Sequence, residues 1–215
     1  MVDLEAQAVF LDRDGVILKP VIRGGNLSVP HSLEEVEILP GVADSLSALK
    51  NAGFLVFVVT NQPEVSRGTV SRKMVELVNE FMASRLPWID GIGVCYHDDS
   101  DCCLCRKPKP GMILRLTKKH QIKKALMVGD RWRDIEAGIR ANCYTILIDN
   151  GLEVDDQKPK GYKARFSSLF DATPWILEFF TRNPQANPKT HGDTNSCQTP
   201  TDQASTNTTT SASLT

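Results

Sequence analysis

Residues 9–16 read Val9-Phe10-Leu11-Asp12-Arg13-Asp14-Gly15-Val16. An apolar run ends there in two carboxylates one residue apart, with a glycine directly behind them. In an extended segment, side chains two apart point the same way, so Asp12 and Asp14 are expected on one side. Gly15 lets the chain turn sharply at once. Acids at the carboxyl end of a parallel strand occupy the place where open α/β sheets bind their ligands. Arg13, on the opposite parity, receives no catalytic role. Taken alone, the segment also fits an ordinary Asp-Gly turn with solvated acids.

Outward from it, short apolar runs alternate with helical patterns, as βαβ units and a parallel sheet require. Strands are expected over residues 8–11, 54–60, 91–95, 125–128 and 144–148, several of them apolar throughout, as strands covered on both faces should be. Pro40 and Gly41 open a helix with Val42, Leu46 and Leu49 on one face, and Gly53 is placed to end it in a left-handed cap. A helix over 71–86 carries Met74, Leu77, Val78, Phe81 and Met82 as its expected buried stripe. Further helices are expected over 111–120, 132–141 and 173–180. The fold expected is a doubly wound, Rossmann-like α/β domain over residues 1–182. Residues 183–215 hold nine threonines and a single large aliphatic residue, Leu214. Such a segment buries too little apolar surface to offset its ordering entropy, so a disordered tail is expected.

The bulk numbers exclude some classes. With 215 residues the chain has room for one sizeable core, and a net charge of -1 gives no broad pull toward nucleic acid or anionic lipid. No apolar run reaches membrane-spanning length. The opening residues show no basic stretch followed by a long apolar one, so a cytoplasmic location is expected. A monomer without nucleic-acid or membrane partners is a separate expectation. Six cysteines in such a setting read as thiols or metal ligands rather than disulfides. Cys143, between a helical stretch and an apolar run, reads as a small buried packing residue.

Polar clusters follow the other strands too. Val58-Val59-Thr60-Asn61-Gln62 ends the second with a hydroxyl and two amides. Arg106-Lys107-Pro108-Lys109-Pro110-Gly111 supplies cations just before a helix. Val128-Gly129-Asp130-Arg131-Trp132-Arg133-Asp134 places one carboxylate directly after a strand and a second four residues on. Each has an innocent explanation, whether a β-branched strand end, a solvated basic loop, or acids favoured by a helix N-terminus. Their conjunction, in the order acid pair, hydroxyl, lysine, acid, does not.

That order, and the words FLDRDGV, VVTNQ, RKPKPGM and VGDRWRD, resemble the four motifs of the haloacid dehalogenase (HAD) superfamily of phosphohydrolases over residues 8–148. The resemblance implies a magnesium-dependent phosphatase. Asp12 would be the nucleophile that is transiently phosphorylated and Asp14 the acid and base. Thr60 and Lys107 would hold the transferring phosphoryl group. Magnesium would sit on Asp12, Asp130 and the backbone carbonyl of Asp14, with Asp134 orienting the metal site. Asn61, Gln62, Arg106 and Arg131 would bind substrate.

Cys95-Tyr96-His97, five further residues and Cys103-Leu104-Cys105 offer three thiolates and an imidazole, a set suited to a closed tetrahedral zinc site. By spacing alone Cys102 could replace Cys103. The resemblance selects Cys103, because relatives show Cys-x-Cys directly before Arg-Lys-Pro. With every position filled by protein, this zinc would be structural and would pin the loop at 95–105 that presents Arg106 and Lys107.

Within the superfamily, a zinc loop running into RKPKPGM resembles two groups without a large cap domain, the heptose 1,7-bisphosphate 7-phosphatases and the histidinol-phosphate phosphatases. The TNQ…RG run at residues 60–68 and several arginines favour a sugar bisphosphate. Histidinol phosphate is the alternative, supported by the short zinc-loop spacer. A more distant reading is a zinc-binding interaction module without catalysis, which leaves the ordered acids and lysine without a purpose.

Overall fold

Five of the apolar runs become strands within a residue of their expected ends, and a sixth joins them. The computed structural model describes residues 6–24, 26–152 and 157–183, so the tail from residue 184 onward lies outside the described residues. Strands β1 (Gln7–Leu11), β4 (Leu55–Asn61), β5 (Gly91–Cys95), β6 (Lys124–Gly129), β7 (Tyr144–Ile148) and β8 (Ala164–Phe166) form one sheet in the order β5-β4-β1-β6-β7-β8. Every pairing in it is parallel. A short antiparallel hairpin, β2 (Val21–Arg23) with β3 (Asn26–Ser28), stands apart.

Why the strands are apolar throughout is visible in their parity. Val9, Leu11, Val56, Val58, Leu126 and Val128 face one layer, where they meet α1 (Val42–Asn51), α2 (Arg72–Arg85) and α5 (Leu169–Arg182). Ala8, Phe10, Phe57, Val59, Ala125 and Met127 face the other, against α3 (Gly111–Lys119) and α4 (Trp132–Arg140). Both faces are sealed, as in parallel sheets generally. Cys143 is buried in the second layer. Chain order runs outward from β1 to β4 and β5, then returns to β6 on its other side. The reversal beside β1 opens a crevice at the carboxyl ends of β1, β4 and β6, where such sheets bind ligands.

Gly53 adopts φ +87 and ends α1 as expected, donating its N–H to the Lys50 carbonyl. Two expectations need correction. Helix α2 buries Val75, Val78, Asn79 and Met82, whereas Leu77 is exposed. The face turned to the sheet is rotated from the hydrophobic count because Asn79 is drawn inward by a polar partner described below. Helix α5 begins four residues early, because the Ser168 hydroxyl caps it by accepting from the Asp171 N–H at 3.1 Å. Among the described residues, the stretch between Gly15 and α1 contains only the β2–β3 hairpin and a 3-10 turn at Leu33–Glu35, with no inserted cap domain. No helix among the described residues is long and apolar enough to cross a membrane.

Candidate functional site

The reversal point brings the strand-end clusters into one cavity of about 270 Å³, lined among others by Asp12, Asp14, Thr60, Asn61, Lys107 and Asp134. Asp12 continues the β1 ladder by donating its N–H to the Val128 carbonyl at 2.9 Å, which fixes it beside the end of β6. Lys107 is almost fully buried, and its ammonium donates to Asp12 Oδ1 at 2.7 Å and to the Val59 carbonyl at 2.7 Å. Asp134 Oδ1 lies 2.6 Å from the same nitrogen. Burial works against the lysine charge, but the carboxylates of Asp12 and Asp134 outweigh it and hold the ammonium above its usual range. Burial, then the negative charge of Asp134, pushes Asp12 up to about 6 in spite of Lys107.

Asp130 completes the acid cluster. Carboxylate oxygens of Asp12, Asp130 and Asp134 all lie within 4.8 Å of one another. Burial and the adjacent Asp12 charge raise Asp130 well above the carboxylate range, and its Oδ1 is shielded from solvent without a hydrogen-bond partner. Three carboxylates with one such oxygen fit a divalent cation that prefers oxygen ligands. Two glycines make the approach possible. A Cβ on Gly15, which has φ +95, would sit 2.1 Å from Asp130 Oδ2, and one on Gly129 would sit 2.0 Å from the Asp134 Cβ. Side chains at either position would push the acids apart.

Asp14 is held from behind. The Arg13 guanidinium is 1% exposed and lies against it, with Nη2 2.9 Å from Asp14 Oδ2, while Nη1 donates to Asn79 Oδ1 of α2 at 3.0 Å. The β1 strand stops at Leu11, so strand parity no longer governs Arg13, and the side chain expected to point away clamps the acid instead. Gln62, expected to bind substrate, is fully buried, and its Nε2 donates to Asp14 Oδ2 at 2.9 Å and Thr60 Oγ1 at 2.8 Å. Asn61 lines the cavity, but its amide donates to the Lys107 carbonyl and accepts from the Lys107 N–H, at 2.9 and 3.0 Å. Both amides hold other site residues, which corrects the expectation for Gln62 and gives Asn61 a second task.

The rim is built of arginines and aspartates. Arg106 donates from Nε to Asp99 Oδ1 at 2.8 Å and from Nη1 to the His97 carbonyl at 3.3 Å. Arg133 of α4 donates to the same Asp99 oxygen at 3.0 Å, and Arg67 grips Asp98 with two bonds of 2.7 Å. Arg131 lines this cavity and also a neighbouring one of about 550 Å³ on the far side of Asp130. Arg13, Asn79, Asp99 and Arg133 did not figure among the candidate residues. Only Arg13, standing between the two acids, carried a signal.

On the outer side of the same loop, Cys95 at the end of β5 meets His97, Cys103 and Cys105. Their sulfur atoms are 3.3–3.7 Å apart, and His97 Nδ1 lies 3.6 Å from Cys95 and 3.4 Å from Cys105. A tetrahedral ion with metal–sulfur bonds near 2.3 Å needs sulfur–sulfur edges of about 3.8 Å, so the donor set is already near that shape. None of these cysteines is in a disulfide. Cys102 is exposed and takes a left-handed backbone at φ 47, outside the cluster.

Residues 104–168 match the HAD-hydrolase-like family model. The D-glycero-beta-D-manno-heptose-1,7-bisphosphate 7-phosphatase of Escherichia coli K12 is 34% identical over 193 residues, covering 83% of this chain and 92% of that protein. The protein of the same name from Helicobacter pylori J99 is 36% identical over 149 residues, covering 66% of this chain and 82% of its own. The crystal structure of D,D-heptose 1,7-bisphosphate phosphatase from B. bronchiseptica, complexed with magnesium and phosphate, superposes with a TM-score of 0.69 at 27% identity, covering 81% of this chain and 99% of that one.

Proposed function

The chain belongs to the HAD-type phosphatases, in the family of the heptose-1,7-bisphosphate 7-phosphatases, and from that premise we propose that it removes the 7-phosphate of D-glycero-D-manno-heptose 1,7-bisphosphate. The observation that carries the chemistry is the meeting of Asp12, Asp14, Thr60 and Lys107 in one cavity. An oxygen of Asp12 attacks phosphorus and the bond to the sugar oxygen breaks, leaving an acyl phosphate on Asp12. Asp14 gives its proton to the departing alkoxide. It then takes a proton from the water whose oxygen attacks phosphorus, releasing inorganic phosphate and restoring Asp12. Lys107 and the Thr60 hydroxyl bind the phosphoryl oxygens where charge gathers. Asp12, Asp130 and the Asp14 carbonyl would hold Mg²⁺, which when bound neutralises charge on those oxygens. The Asp130 oxygen without a partner supports that assignment. Zinc on Cys95, His97, Cys103 and Cys105 would be structural. A cytoplasmic monomer with a domain ending near residue 182 completes the reading.

The test is phosphate release with Mg²⁺ from heptose 1,7-bisphosphate, heptose 7-phosphate and histidinol phosphate, with the sugar product identified. Heptose 1-phosphate as the product of the bisphosphate is expected. A higher kcat/KM for histidinol phosphate would overturn the substrate while leaving the mechanism in place.

A further inference from the structure

Two guanidinium groups on the cavity rim, from different parts of the chain, share one carboxylate. Arg106 belongs to the zinc loop and Arg133 to α4, yet both donate to Asp99 Oδ1, at 2.8 and 3.0 Å. Asp99 belongs to neither the acid cluster nor the Cys/His cluster. Its side chain is 57% exposed, whereas that of Arg106 is 10% exposed. Each arginine also has a contact other than Asp99. Arg106 keeps its bond to the His97 carbonyl at 3.3 Å and a contact with Asp98 at 3.7 Å. The Arg133 guanidinium lies over the Trp132 ring at 4.9 Å. The N–H groups aimed at Asp99 are those a phosphate would use, because paired guanidinium donors match its oxygens.

We propose that Asp99 is a specificity-determining residue that holds the place of the substrate's second phosphate and sets how strongly the site prefers a bisphosphate to a monophosphate. The inference rests on the sugar bisphosphate reading. A phosphate reaching Arg106 and Arg133 must move Asp99 aside or accept its repulsion, and either weakens binding of the second anion. A monophosphate carries only the group that reacts over Asp12 and meets no such competition.

The test is Asp99→Asn in the full chain, with Asp99→Ala as a second variant and zinc content measured in each to confirm an intact loop. KM is compared for heptose 1,7-bisphosphate and heptose 7-phosphate. In parallel, fructose 1,6-bisphosphate and fructose 6-phosphate serve as inhibitors of p-nitrophenyl phosphate hydrolysis. The preference for bisphosphate over monophosphate should rise about tenfold in both pairs, and adding Arg133→Ala should remove most of the gain. An unchanged or reduced preference overturns the proposal, since Asp99 would then be a support for the arginines. If the parent ignores heptose bisphosphate but the fructose pair still shifts, the heptose reading falls and the role of Asp99 stands.

Discussion

Among the described residues, two clusters are able to hold a metal, and they lie at the same edge of the sheet but are made in opposite ways. The Cys/His cluster comes from eleven consecutive residues, and its donor atoms already stand near tetrahedral separations. The acid cluster draws Asp12 from the end of β1 and Asp130 and Asp134 from the β6–α4 junction, more than a hundred residues away in sequence. It includes a lysine and leaves one buried oxygen without a partner. A closed local set of soft donors suits a structural ion, whereas hard oxygens facing a cavity suit chemistry. Shape and partner count thus separate two sites that a count of ligand-type residues would treat alike.

The largest expected effect tests the acid cluster. Asp12→Asn should lower phosphate release by about four orders of magnitude or more, with Tm close to that of the parent. Residual activity within tenfold would remove Asp12 from the role of nucleophile. Next comes the Cys/His cluster. Cys103→Ser should lose its zinc and several kcal/mol of stability, seen as a fall in Tm of the order of 10 °C, while Cys102→Ser keeps both. Zinc retained by Cys103→Ser and lost by Cys102→Ser would reverse the choice between neighbours.

Arg13 offers a finer test, of how Asp14 beside the acid cluster is aimed. Arg13→Ala should lower kcat about a hundredfold with little change in KM, because Asp14 keeps only its Gln62 bond. Arg13→Lys should recover part of this loss. A fall confined to KM would argue for a substrate contact instead. The smallest effect concerns pH. With Asp12 raised to about 6, its carboxyl is protonated below that pH and competes with the metal for the same oxygens. Mg²⁺ affinity, measured by calorimetry, should fall about tenfold or more per unit below pH 6, as Asp12 takes up its proton beside the likewise raised Asp130. Equal affinity at pH 5 and 7 would contradict the raised value.

Five of the six sheet strands, the glycine that ends α1 and the close spacing of the Cys/His residues were legible in the residues, because each depends on local pattern. Apolar runs covered on both faces, a glycine free to adopt φ +87 and closely spaced cysteines carry their meaning within a few positions. The partners of polar side chains were not legible. Gln62 and Asn61 looked like open amides at a strand end, yet one holds Asp14 and the other the Lys107 backbone, 48 and 46 residues away. The inward turn of Asn79 toward Arg13, which rotates α2 away from its hydrophobic count, spans 66 residues. Local sequence determined which groups reach the carboxyl edge of the sheet, since strand period and turn residues act over short range. Which of those groups face the cavity and which hold their neighbours was decided only by tertiary structure, because a buried donor bonds to whatever acceptor the packing of distant loops brings within about 3 Å.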